Sequence, residues 1–159
     1  MLHFEKYKNS DYSDYYSLVK DDEVMKYITG KGMSAEEAEE KFESIIKINN
    51  EVELLGYFKV LNIDSNIIGE CKLVRYKQDR SLFEVGYLLK KDYWGLGLGK
   101  EICANMIDLA FSVAPNNPIL GIIDPKNQAS RKILESFGFK TYFKGIEDNI
   151  PTEKLILKR

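Results

Sequence analysis

Three alternate glycines, Gly95, Gly97 and Gly99, form the most chemically informative feature of the chain, within Tyr93-Trp94-Gly95-Leu96-Gly97-Leu98-Gly99-Lys100 between a strand-like run and a helical one. Lacking Cβ atoms, such a backbone can approach a ligand closely, and a helix start offers unpaired N–H groups at the positive end of its dipole. The turn therefore suits a phosphate or pyrophosphate; the other reading of the same residues is a tight strand-to-helix connection without a ligand. Spacing narrows the choice of ligand. The dinucleotide fingerprint G-x-G-x-x-G fails in both frames, which end on Lys100 and Ile102. The P-loop pattern fails too: aligned on Gly99-Lys100, it meets Trp94 where its first glycine belongs and Glu101 where its hydroxyl belongs.

Few other side chains could do chemistry. Glu84 shares a strand face with Gly86 and Leu88 if alternation holds, and could accept a proton, bind a cationic group or pair with a neighbouring cation. Asn127 and Ser130 stand one turn apart at the start of a helical run, where Asn is a good N-cap and a serine is otherwise a surface hydroxyl. Cys71 and Cys103 lack C-x-x-C spacing, and with His3 the single histidine they form no metal-ligand cluster and no Cys/His pair at a recognisable spacing. No metal site is expected.

The elements that must position these residues follow from periodicity. Residues 2–8 alternate as a short strand, Asn9-Ser10-Asp11 offers capping oxygens before a helix carrying Tyr12, Tyr15, Tyr16 and Val19, and Asp21-Asp22-Glu23 can start a short helix over residues 24–28. Ser34 and Glu37 make a capping box for a helix with the stripe Ala38, Phe42, Ile45 and Ile46. Runs 56–64, 67–76 and 82–89 read as an antiparallel meander. Helix 99–113, strand 119–124, helix 127–137 and strands 139–144 and 154–158 follow, with residues 145–152 as a loop. The tyrosines of the first helices read more readily as packing than as a pocket lining.

With 159 residues, 44% hydrophobic and 30% charged, the chain suits one globular domain spanning residues 1–159. The balance of 23 basic against 25 acidic residues offers no footprint for nucleic acid or an anionic membrane. No run approaches the ~18 apolar residues of a membrane span, and the N-terminus lacks the apolar core of a signal peptide. The expectation is a soluble, unprocessed cytoplasmic protein.

Glu84-Val85-Gly86-Tyr87, the glycine turn, Asp124-Pro125, Asn127-Gln128-Ala129-Ser130-Arg131 and Phe137-Gly138-Phe139, in that order, resemble the GNAT superfamily of acetyl-CoA-dependent N-acetyltransferases. The pattern most resembles the branch that includes the ribosomal-protein-alanine acetyltransferases. The resemblance implies an α/β fold: a mixed, mostly antiparallel sheet of about seven strands flanked by helices and splayed at a central parallel pair. Acetyl-CoA would enter the opening, its pyrophosphate on Trp94, Gly95, Leu96, Gly97, Leu98, Gly99 and Lys100. Backbone N–H groups at Leu88 and Leu89 would hold the thioester carbonyl, Asn127 the pantetheine arm and Ser130 the sulfur, with Arg131 near the phosphates. For this reaction Glu84 could accept the amine proton, directly or through water, or bind the cationic acceptor, and Ser130 is the hydroxyl nearest the leaving thiolate. Two departures stand out: Trp94 replaces the usual Gln or Arg, and Leu134 stands where many members carry a proton-donating tyrosine. The implied reaction is direct acetyl transfer to a primary amine of a small molecule or a protein N-terminus, with a homodimer possible. A non-catalytic acyl-CoA-binding or sensor module on the same scaffold is the competing reading.

Overall fold

In the computed structural model, which describes residues 1–158, the alternating runs assemble into one seven-stranded sheet of order β1-β2-β3-β4-β5-β7-β6. The strands are β1 (His3–Lys6), β2 (Gly56–Leu61), β3 (Ile67–Arg75), β4 (Phe83–Leu89), β5 (Ile119–Ile123), β6 (Lys140–Glu147) and β7 (Ile150–Leu157). Every neighbouring pair is antiparallel except β4 and β5. The helices are α1 (Tyr12–Val19), α2 (Ala35–Glu51), α3 (Leu98–Val113) and α4 (Gln128–Ser136). None of the helices is long and apolar enough to cross a membrane. This is the mixed, splayed fold expected from the sequence.

Period-two alternation gives the sheet two apolar faces, each covered by helices. Phe83 and Val85 of β4 join Leu73 and Cys71 of β3 beneath Ile102, Met106 and Ala110 of α3. On the other face α1 and α2 bury Tyr15, Leu18, Phe42 and Ile45 together with Tyr7 and Tyr57. The capping box of α2 forms as expected: the Glu37 N–H donates to Ser34 Oγ and the Ser34 N–H to Glu37 Oε1. Near the other end of that helix, buried Asn49 donates to the carbonyls of Tyr7 and Tyr57 and accepts the Tyr57 N–H at 2.8 Å. One side chain thus ties α2 to both β1 and β2 and fixes two of the rings of this layer.

Three local expectations are corrected. Residues 22–29 form successive turns, not a helix; Asp21 Oδ1 caps the N–H groups of Glu23 and Val24, but Ile28, Thr29 and Gly30 all direct their N–H groups to Met25 O, so no continuous ladder develops. Asp11 does not cap α1 with its side chain; Oδ2 accepts the Lys8 N–H and Oδ1 accepts Lys59 Nζ. Residues 145–152 are no loop but most of a hairpin, because Asp148 and Asn149 adopt φ of 51° and 64° and form a two-residue turn between β6 and β7. Pro151 is tolerated in β7 since pairing with β5 reaches only Glu153, leaving no ladder bond for Pro151 to break on that side.

Candidate functional site

The parallel pair is short. Phe83–Val85 lie against Ile119–Gly121, after which β4 continues along β3 to Leu89 while β5 stays with β7. A cavity of about 570 Å³ occupies the divergence, with Tyr87 and Leu88 on one wall, Ile122 and Asp124 on the other, and Asn127 and Ser130 at the start of α4. Hydrogen-bond parity shows which amides of β4 are released. The Phe83 N–H donates to Pro118 O and the Lys90 N–H to Ile68 O; alternation therefore turns the N–H groups of Tyr87 and Leu89 toward the opening and that of Leu88 toward Glu70 of β3. The Leu88 N–H, expected among the donors, therefore faces β3, and Tyr87 and Leu89 are the residues whose N–H groups face the opening.

The three glycines divide into two tasks. Gly95 and Gly97 have φ of 75° and 78°, and a Cβ at either would meet no described atom within 4 Å. Gly97 is the N-cap of α3, so this left-handed, side-chain-free backbone lies open at a helix N-terminus. Gly99 instead serves packing, because its Cβ would stand 3.1 Å from Ile133 Cδ1 of α4. Trp94, which takes the place of the usual polar residue, donates from Nε1 to Leu89 O at 2.9 Å and pins the turn to the end of β4. Leu96 is exposed, Leu98 is partly buried against the core, and Lys100 Nζ lies over the Phe137 ring. A diphosphate fits this cradle on shape and on the sign of the field.

At the start of α4, Asn127 Oδ1 accepts the Ser130 N–H at 3.1 Å, so capping is one task of this side chain. Tyr87 approaches Ser130 from the opposite wall, and burial, with Cys103 adding to it, pushes its ionisation well up. The Tyr87 hydroxyl is thus a neutral donor, and it has no hydrogen-bond partner among the described residues. Leu134 is buried against Gly121, whose Cβ would stand 2.6 Å from Leu134 Cδ1. Arg131 departs from the expected phosphate contact. Its guanidinium is engaged by Glu153, with Nε 3.1 Å from Oε1, and donates to Pro125 O. That pairing holds the Glu153 carboxyl below its usual range.

Across the sheet the same cavity is walled by charge. Glu84 Oε2 lies 2.7 Å from Lys72 Nζ. The Lys72 stem reaches it across Gly86, its cross-strand partner, where a Cβ would come within 3.0 Å of Lys72 Cε. Burial lowers the Lys72 pKa, but Tyr57, Glu84 and Glu70 outweigh it and the ammonium is retained. Glu70, two residues before Lys72, faces the cavity beside Tyr15 and Lys41. Burial pushes its carboxyl up to about 7 against the opposing effects of Tyr7, Lys72 and Lys41. Glu70, Lys72 and Tyr87 were not singled out in the sequence. The signal of Glu70 and Lys72 was present as charged residues alternating with Cys71 and Leu73 in β3, but it acquires meaning only once the register with β4 is known.

The model of the Acetyltransferase (GNAT) domain matches residues 2–140. The uncharacterized N-acetyltransferase p20 of Bacillus licheniformis is 26% identical over 121 residues, which cover 76% of this chain and 68% of that protein. Among solved structures, a GNAT-family acetyltransferase from Bacillus anthracis superposes with a TM-score of 0.78 at 19% identity, covering 98% of this chain and 92% of that one. The spermidine N-acetyltransferase of Vibrio cholerae, solved with CoA and spermine, gives 0.79 at 17% identity and covers 99% and 95%. With a family model spanning most of its length and a sheet that opens beside a glycine turn, the chain belongs to the GNAT acetyltransferase family.

Proposed function

We propose that this chain transfers the acetyl group of acetyl-CoA to a primary amine by direct attack. The observation that carries the reading is the continuity of one cavity from the released edge of β4, beside an open glycine turn, to the wall bearing Glu84 and Glu70. Acetyl-CoA, when bound, supplies an acyl group activated as a thioester. Gly95, Leu96, Gly97, Leu98 and Lys100 would receive its diphosphate at the start of α3, with Trp94 and Gly99 shaping the turn, and Asn127 would meet the pantetheine arm. The N–H groups of Tyr87 and Leu89 would hold the carbonyl oxygen as negative charge develops on it. The hydroxyls of Tyr87 and Ser130, which line the same cavity, would hand a proton to sulfur and so offset the absence of a tyrosine at residue 134. Arg131 pairs with Glu153, and this reading assigns it no phosphate contact.

The acceptor must be neutral at the moment of attack, and a lysine-like amine has a pKa of about 10.4 in water. Glu84, fixed by Lys72, would attract the cationic form and orient it. The Vibrio cholerae protein is a spermidine N-acetyltransferase in complex with spermine, a polyamine, which supports amines as the acceptor class. The resemblance to the ribosomal-protein-alanine branch adds peptide N-termini to the candidates. Incubation with isotopically labelled acetyl-CoA and a panel of polyamines, amino acids, aminoglycosides and peptides should give an acetylated amine by mass spectrometry and stoichiometric free CoA. Tight calorimetric binding of acetyl-CoA with no product across the panel would favour the non-catalytic binding module instead.

A further inference from the structure

We propose that Glu70, rather than Glu84, takes the proton from the acceptor amine; this rests on the transferase reading above. Four observations on the structure converge. Glu70 is the register partner of Leu88, so it sits across one strand spacing, about 4.8 Å, from the part of β4 whose flanking amides are released. Its side chain shares the sheet face of Glu84, Gly86 and Leu88 and lines the same cavity. Its Oε1 atom is buried, with the Tyr7 hydroxyl as the neighbour that stabilises the carboxylate. Glu84, in contrast, is committed to Lys72 at 2.7 Å.

The surroundings of Glu70 suit a base that works near neutral pH. Tyr7 after β1, Tyr15 on α1, Lys41 on α2 and Lys72 on β3 are the titratable groups that face it, while Cys71 points to the other face of the sheet. Burial raises the carboxyl to about 7, while Tyr7 and the two ammonium groups hold it from rising further. Leu88 opposite is apolar. A group so poised is ionised for part of the time and can both take up a proton and release it to solvent.

The step balances. Glu70 accepts one proton from the ammonium form of the acceptor, leaving the nitrogen lone pair free. That pair forms the C–N bond, the C–S bond breaks with its electrons on sulfur, and the second N–H proton ends on the thiolate. The products are the N-acetyl amine, free thiol and protonated Glu70, which discharges to solvent.

The test uses the full chain and whichever panel amine the wild type acetylates. In Glu70→Gln, kcat/KM at pH 7 should fall by about 100-fold or more, while calorimetric affinity for acetyl-CoA stays within twofold of wild type. The acidic limb of the wild-type profile, centred near the Glu70 value of about 7, should vanish. The deficit should shrink as pH approaches the amine's own pKa, where no base is needed. Tyr7→Phe, which removes a neighbour that stabilises the carboxylate, should move the limb to higher pH. Glu84→Gln should raise KM and keep the limb. A Glu70→Gln enzyme that retains the limb, or whose deficit is the same at every pH, overturns the proposal. If Tyr7→Phe leaves the limb in place, the limb is not that of Glu70. A wild type that binds acetyl-CoA and acetylates nothing overturns the transferase reading, and the role of Glu70 with it.

Discussion

Replacing Gly97 with alanine separates the two meanings of the glycine turn. At a φ of 78°, an alanine costs about 1–2 kcal/mol of backbone strain, partly offset by about 0.4–1 kcal/mol from the stiffer unfolded chain. No steric term is added, since the new Cβ meets no described atom within 4 Å. The variant should therefore fold, with a net loss of about 1 kcal/mol in urea titration. The ligand experiences something different: the methyl fills the open space that a diphosphate must enter to reach the N–H groups at the start of α3. Losing one or two charge-assisted hydrogen bonds, each worth about 1.5–3 kcal/mol, weakens acetyl-CoA by about 100-fold at 1.4 kcal/mol per decade. Gly138→Ala is the matched control. It carries the same kind of strain at φ 94°, with Leu157 Cδ1 3.6 Å from the new Cβ, and should lose similar stability while binding acetyl-CoA as the wild type does. Calorimetry on the three proteins decides: Gly97→Ala with unaltered affinity, or Gly138→Ala with an equal loss, refutes a phosphate cradle at this turn.

Asn127→Ala should lose both about 1 kcal/mol of stability through the cap and affinity for acetyl-CoA, whereas Asn127→Ser should restore the cap and not the affinity; recovery of both would reduce Asn127 to a capping residue. Glu153 has a folded-state pKa below its usual 4.5, so its contribution is present above that value and is lost as pH falls toward the folded one; Glu153→Gln should cost about 3 kcal/mol at neutral pH and flatten the acid side of a pH series of urea titrations. Glu70 runs the other way: raised to about 7 from 4.5, it stabilises below the lower value and that stability is lost as pH rises through the upper. Glu70→Gln should therefore gain on the wild type by up to about 3 kcal/mol in alkaline urea titrations, with the relative gain disappearing below pH 4.5. Tyr87→Phe should lower kcat by about 100-fold with little change in stability, and unaltered kcat would remove its hydroxyl from the proton path to sulfur.

What was legible in the sequence was local in origin. The capping box at Ser34 and Glu37, the glycine turn and the change of period from helix to strand each depend on residues within one or two turns of one another, so spacing suffices to find them. The hairpin at Asp148-Asn149 was local too, and its signal was two residues that tolerate left-handed backbone between alternating runs. The remainder required register. Whether Leu88 or its neighbours donate into the opening depends on which edge of β4 faces β5, and that parity is set by pairing with Pro118 and Ile68, residues about twenty to thirty positions away in sequence. Arg131 meeting Glu153, and Lys72 crossing Gly86 to Glu84, are contacts between elements that no spacing rule connects.

The leucine at residue 134 shows how such long-range contacts redistribute chemistry. Its side chain occupies the place that a Cβ on Gly121 would need, so α4 closes onto β5 through an apolar contact and presents no hydroxyl to the cavity from that residue. The opposite wall supplies one instead: Tyr87 extends from β4 toward Ser130, buried and without a hydrogen-bond partner among the described residues. On the proposed reading the hydroxyl absent from the helix at residue 134 would be supplied from the strand by Tyr87, and the kinetics of Tyr87→Phe, set beside those of Leu134→Tyr, would show whether one donor can replace the other.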